Sequence, residues 1–380
     1  MIYELKKLFQ RKELWIVLGL TLLAILLLVL RDRSSLADAG SNSQKTAAYY
    51  DYSPEEALPL IERELEQLGS SASDINSSHY HDWRVLYHMR DLAKDFISAN
   101  KNDPNVIRQM YNEMNTADSD FARRDLAHAI KLYNRVRNYK LADASSMEYF
   151  LLLLEQGGYF HYLYLLVLCT MLSPLFSAEY ESGMYQILFS SKKGKAGLFR
   201  KKICGGLLCM VLFALIYTAF TFLLSWFWHG MNIRMLSAAL QSSVLFRNCP
   251  YALTFLDYAL LVFAMRAVIG AFVLALTALV SCFCKKNVTV FAISGITTAI
   301  PILIAKLFEN VPAVQTVLNR LGIMQLSYLS NYLTEYNTVN VFGFPIGQFL
   351  LSVLCTCLLT AFLLSAAYAF WTRDTRHRRI

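Results

Sequence analysis

The chain has 380 residues, 56% of them hydrophobic and 17% charged, with a formal net charge of +8. Soluble domains carry about 25% charged residues and do not need their apolar residues in long unbroken runs. The composition argues against two ordinary soluble domains. The basic residues cluster in short connections between apolar runs, which accounts for the positive charge without any nucleic acid.

In chain order, Ile2, Leu5, Leu8 and Phe9 share one helical face, and Lys6, Lys7, Arg11 and Lys12 lie mostly on the other. This segment reads either as a helix lying on the inner membrane surface or as a basic flank to the apolar run after it. A crossing needs about 20 largely apolar residues. Leu14 to Leu30 is long enough, and no small-residue cleavage site precedes Arg31, Asp32 and Arg33. The run therefore reads as a first span rather than a cleaved signal.

Residues 31–157 hold 15 basic and 20 acidic residues and read as a helical extracytoplasmic domain. Ser53, Pro54 and Glu56 form a capping-box helix start, and Gly69 ends that helix. Trp83, Leu86, Tyr87, Met89 and Leu92 predict a helix with a buried face. Pro104 starts another, and Leu126, Ile130, Tyr133 and Val136 continue at helical spacing.

Five more spans are expected: Tyr159 to Ser177, Ile203 to Trp228, Asp257 to Cys284, Val288 to Phe308, and Phe344 to Trp371. The apolar stretch from Tyr251 to Cys284 exceeds one span, so its outer part is expected to be tilted, broken or interfacial. Short helices at the outer rim are expected between Glu309 and Gly343. The expected fold is all-α and polytopic, with six transmembrane helices. It divides into residues 1–30 (surface helix and first span), 31–157 (outer domain) and 158–380 (five spans, with a cytoplasmic loop at 178–202).

Lys and Arg in short loops set orientation. Alternate connections hold Lys6, Lys7, Arg11 and Lys12; Lys192, Lys193, Lys195, Arg200, Lys201 and Lys202; Lys285 and Lys286; and Arg373, Arg376, Arg378 and Arg379. The opposite short loops hold Arg234, Arg247 and Arg320. This bias puts both termini in the cytoplasm of a cell of bacterial type, with the chain in the plasma membrane. Trp15, Trp226, Trp228 and Trp371 fall at span ends, where interfacial tryptophans are expected. Seven of the eight cysteines lie in apolar runs or at their ends, and Cys249 has no partner in its loop, so no disulfide framework is implied.

Chemistry-bearing motifs are few. Gly194, Lys195, Ala196 and Gly197 lack the frame of a phosphate-binding loop, so this chain should not hydrolyse ATP. His79, His81 and His88 cluster near Asp82 and read as a solvated helix surface rather than metal ligands. Arg266 lies within a span, where charge is costly. It reads either as a pathway or interface residue or as a side chain snorkelling outward.

The loop at 178–202 is the sharpest feature. Glu179 and Glu181 close a span, Gly183 follows, and Met184, Ile187 and Leu188 recur at helical spacing before Ser190, Ser191 and Lys192. A plain positive-inside loop would need only the lysines. Glu179, Gly183, Leu188, Ser190, Ser191, Lys192 and Lys202 follow the order seen in the permease subunits of type-2 ABC exporters, which this loop resembles. The usual proline of the corner is replaced by Ser or Lys.

The resemblance implies a coupling helix that docks on a separate ABC ATPase subunit, which would hold the ATP and magnesium. It also implies a second permease copy or a related permease in the same bilayer. Met184, Ile187, Leu188 and Lys192 would meet the ATPase. Glu179 and Glu181 would pair with its basic residues or with Lys201 and Lys202. The competing expectation is a membrane sensor or anchoring protein whose outer domain binds a ligand or partner. An intramembrane enzyme is a weak third, since no paired catalytic residues are present.

Overall fold

The computed structural model describes residues 12–31, 47–49, 52–74, 77, 79–98, 104–136, 147, 150–151, 153–154, 158–184, 194–229, 233–308, 311, 326 and 328–373. The surface helix expected before Lys12 lies outside them. A first apolar helix, α1 (Lys12–Arg31), leads into a polar group of four. These are α2 (Pro54–Leu68), α3 (Tyr80–Ser98), α4 (Pro104–Thr116) and α5 (Asp120–Arg135).

Local rules written in the sequence set the ends of α2. Ser53 Oγ accepts from the Glu56 amide at 3.3 Å, and Glu56 returns a carboxylate to the Ser53 amide at 3.0 Å. Gly69 takes φ +73 at the far end, a conformation that side chains with a Cβ resist. Ala57 and Ile61 of α2 bury against Leu86, Met89, Leu92 and Phe96 of α3. A second small core joins Ile107 of α4 to Ala129, Ile130 and Tyr133 of α5.

The apolar helices come next: α6 (Gly158–Glu181), α7 (Gly194–His229), α8 (Phe255–Phe283) and α9 (Asn287–Leu307). After the short α10 (Ser330–Leu333) comes a hairpin of β1 (Thr338–Val341) and β2 (Phe344–Gly347), then α11 (Gln348–Arg373). Helix α8 is the hub, packing on α6, α7, α9 and α11. Its crossing with α7 is close because Gly270 and Gly206 lack side chains. A Cβ on Gly270 would sit 2.3 Å from Met210 Cγ.

The expected six spans are not found. Among the described residues, three helices are long and apolar enough to cross a membrane: Lys195–Phe227, Phe255–Phe283 and Gln348–Thr372. They correspond to the third, fourth and sixth expected spans. The first and fifth fall on α1 and α9, within which the described apolar stretches Leu14–Leu27 and Asn287–Ile300 are shorter. The second, α6, is not among the three: it carries Glu179 and Glu181 in its last turn, which lower its mean hydropathy.

Among the described residues the fold is all-α apart from one short hairpin. A span was expected to begin at Phe344 and rim helices to precede it, yet residues 338–347 form the hairpin. Its two-residue loop has positive φ at both positions, Phe342 (+52) and Gly343 (+84), the pattern of a type I′ turn. Asn340 Oδ1 accepts from the Gly343 amide at 2.8 Å and closes the turn. Val341 pairs with Phe344 and Thr338 with Gly347.

The long apolar stretch from Tyr251 breaks at Thr254. There Thr254 and Asp257 form a capping box that starts α8. Before it, residues 233–254 fold as an ordered loop. Buried Gln241 donates to the carbonyls of Cys249 (3.0 Å) and Tyr251 (2.6 Å). The expected outer break is therefore real and has a polar cause.

Candidate functional site

Helix α6 ends, and helices α7 and α9 begin, at the end of the bundle that carries Lys195, Arg200, Lys201, Lys285 and Lys286. The candidate loop departs from this basic end. Glu179 does not face outward. It is 3% exposed and accepts a hydrogen bond from Lys202 Nζ, itself 0% exposed, which also donates to the Leu175 carbonyl. The Lys202 ammonium lies 5.5 Å from the Phe176 ring centroid. Two opposite charges buried in this way fix the register of α6 against α7, because separating them leaves a charge with no water.

Glu181, by contrast, is exposed. It reaches across to α9, accepting from the Asn287 amide at 3.3 Å and from the Asn287 side-chain amide. A carboxylate at the first turn of α9 also complements the helix dipole. Asn287 Oδ1 accepts in turn from Ser177 Oγ, so α6 and α9 are tied by a short polar chain. Gly183 then turns the backbone at φ +71 with open space around it, and Met184 is 49% exposed. Ile187, Leu188 and Lys192 lie outside the described residues.

Aromatic packing anchors this end. Trp371 of α11 meets Phe176 (5.7 Å between centroids), Tyr180 (5.8 Å) and Phe199 (6.2 Å). The sequence pattern put Trp371 at the lipid interface, but it is buried. Trp15 and Trp226 are exposed as that pattern expects. Asn287 and Trp371 were missed as parts of the site. The only sequence signal was a polar residue opening one apolar run and an aromatic closing another.

Arg266 does not snorkel. It is 6% exposed near the middle of α8. Nη1 donates to Thr218 Oγ1 of α7 at 2.8 Å, and Nη2 donates to the Leu154 carbonyl at 2.6 Å. The guanidinium lies 4.6 Å from the Tyr217 ring and 6.0 Å from that of Tyr164. Arg266 is a cross-brace between helices. The partners were invisible in sequence because they lie 48 and 112 positions away.

No group of three or more His, Cys, Asp or Glu side chains suited to a metal is found among the described residues. His81 and His88 lie on α3 and His79 just before it. None of the eight cysteines forms a disulfide.

Exposed apolar side chains cover much of the outer surface of these helices. They include Leu215 and Phe227 on α7, Ile296 and Leu307 on α9, and Leu358 and Phe362 on α11. Such a belt on long apolar helices is stable only against hydrocarbon. The chain is a helical membrane protein. No protein-family model matches it, and no curated protein sequence matches it.

Proposed function

We propose that this chain is the membrane subunit of an ATP-driven exporter and works with a separate ABC ATPase, which would bind ATP and magnesium. The basic end would face the cytoplasm, and the turn at Gly183 would present Met184 and the residues after it to the ATPase. The supporting observation is the contrast within six residues. Glu179 is locked inside by Lys202, Glu181 is tethered to α9, and Met184 projects outward. A load placed on the turn would reach α7 through the buried pair and α9 through Asn287. The chain itself would carry no ATPase chemistry, and a second permease copy or a related permease would complete the pathway. A peptide, a lipid-linked molecule or an envelope component fits the large polar insertion.

The test is Gly183→Pro, whose ring cannot adopt φ +71. The variant should insert into the membrane normally and lose transport-coupled ATP hydrolysis in the assembled complex. Normal transport by a complex carrying the variant would reject the reading. A second reading, a membrane sensor whose polar helices bind a ligand, is favoured by one observation: α5 bonds directly to the hairpin that opens α11. Full activity in cells without any ATPase partner would favour it.

A further inference from the structure

We infer that the contact between α5 and the β1–β2 hairpin is a latch through which residues 104–136 set the position of α11 and, at its far end, of the turn at Gly183. The latch requires only the described geometry and is independent of the exporter reading.

At the latch, Asp125 Oδ1 accepts from the Tyr336 hydroxyl at 2.9 Å and from Thr338 Oγ1 at 2.6 Å. His128 Nδ1 lies 3.1 Å from the same Tyr336 oxygen. Arg124 donates to the Gly343 carbonyl at 3.4 Å, and its guanidinium sits 4.8 Å from the Phe344 ring. Residues of one helix thus grip both strands and the turn, across separations of 208 to 219 positions. Tyr336 also packs onto the α4–α5 core beside Met110 and Met114.

From the hairpin the connection is stiff. The Gln348 amide donates to the Asn337 carbonyl at 3.0 Å, so α11 begins on the base of the hairpin with no linker. Helix α11 has 26 residues and contains neither glycine nor proline. It therefore acts as a rod of about 39 Å. The buried hydroxyls of Thr356 and Thr360 bond carbonyls of their own helix, so a small shift of α11 leaves them satisfied. At the other end, Trp371 packs among Phe176, Tyr180 and Phe199, on the two helices that flank the loop.

The latch is polar and partly exposed, whereas the seat of Trp371 is apolar and buried. The latch is therefore the end that can open at low cost. Anything that draws α5 off the hairpin frees the hairpin end of α11, and the rod carries that freedom to the basic end.

The test is amide hydrogen exchange on the full chain in lipid nanodiscs, comparing wild type with Tyr336→Phe and Asp125→Asn. Glu113→Gln, which alters only the surface bond from Gln109, serves as control. Loss of one or two latch hydrogen bonds should speed exchange by roughly tenfold in residues 338–347. A rise of several-fold is also expected in residues 178–184 and 368–373, with the control unchanged. Acceleration confined to residues 120–136 and 338–347 overturns the inference, as does an equal far-end change in the control. Tyr336→Phe keeps the ring in its core, so it reports even if Asp125→Asn folds poorly.

Discussion

Replacing Lys202 by Met deletes a charge that has no exposure and leaves Glu179 buried at 3%. Two hydrogen bonds go with it, to Glu179 and to the Leu175 carbonyl. Breaking a buried ion pair by removing one partner costs about 3–5 kcal/mol, because the remaining charge keeps its desolvation penalty. Glu179→Leu should cost a similar amount, since it strands the ammonium. The double variant Lys202→Met, Glu179→Leu should lie within about 1–2 kcal/mol of wild type, because well-packed apolar side chains replace such pairs at little net cost. The assay is reversible unfolding in mixed micelles across the double-mutant cycle, read by tryptophan fluorescence. The central quantity is a coupling energy of about 3 kcal/mol or more. If Lys202→Met alone costs under about 1 kcal/mol, the ammonium reaches water and the pair does not lock α6 to α7.

Glycine substitutions should separate the two sides of the helix bundle. Gly270→Ala should destabilise by about 1–2 kcal/mol in the same assay, since overpacking against Met210 outweighs the gain in helix propensity. Gly295→Ala on α9 meets nothing within 4 Å and should stabilise by up to about 1 kcal/mol. Arg266→Met removes the brace to Thr218 and Leu154 and should cost about 2–4 kcal/mol, whereas a snorkelling arginine would lose little. Burial, then Asp125 beside it, raises the Tyr336 hydroxyl above its usual value of 10.0, and burial pushes Tyr133 up to about 12. Both phenols hold their proton more tightly folded than unfolded. Their contribution is therefore full below pH 10 and is lost as pH rises from there through the raised values. Ultraviolet titration of tyrosinate should show a late fraction that shrinks in Tyr336→Phe, and titration of every tyrosine near pH 10 would contradict the buried contact.

What the sequence made legible was local. Ser53 with Glu56, Gly69 and Pro104 marked helix ends because capping depends on residues three or four positions apart. The limits of α8 differ from expectation by two residues at the start and one at the end, because its apolar run is long and ends at Lys285. The hairpin was hidden because Phe344 to Gly347 is as apolar as a span. The turn signal, Asn340 bonded to Gly343, is one hydrogen bond that hydropathy does not see. The count of six failed at α6 because Glu179 and Glu181 close that helix and lower its mean hydropathy. In the candidate site, the loop itself was visible as an acidic pair, a glycine and lysines. The division of labour between Glu179 and Glu181 was not, because it depends on Lys202 and Asn287, which lie 23 and 106 positions away.

The most direct test of the exporter reading places a photo-crosslinking amino acid at position 184, where the side chain is half exposed just past the turn. Crosslinking is done in native membranes, and the captured protein is identified by mass spectrometry. One dominant adduct is expected, to a protein bearing a phosphate-binding loop of the ATPase type, and it should be lost when Gly183→Pro is added. Adducts to lipid or to unrelated proteins alone, unchanged by Gly183→Pro, would contradict that reading.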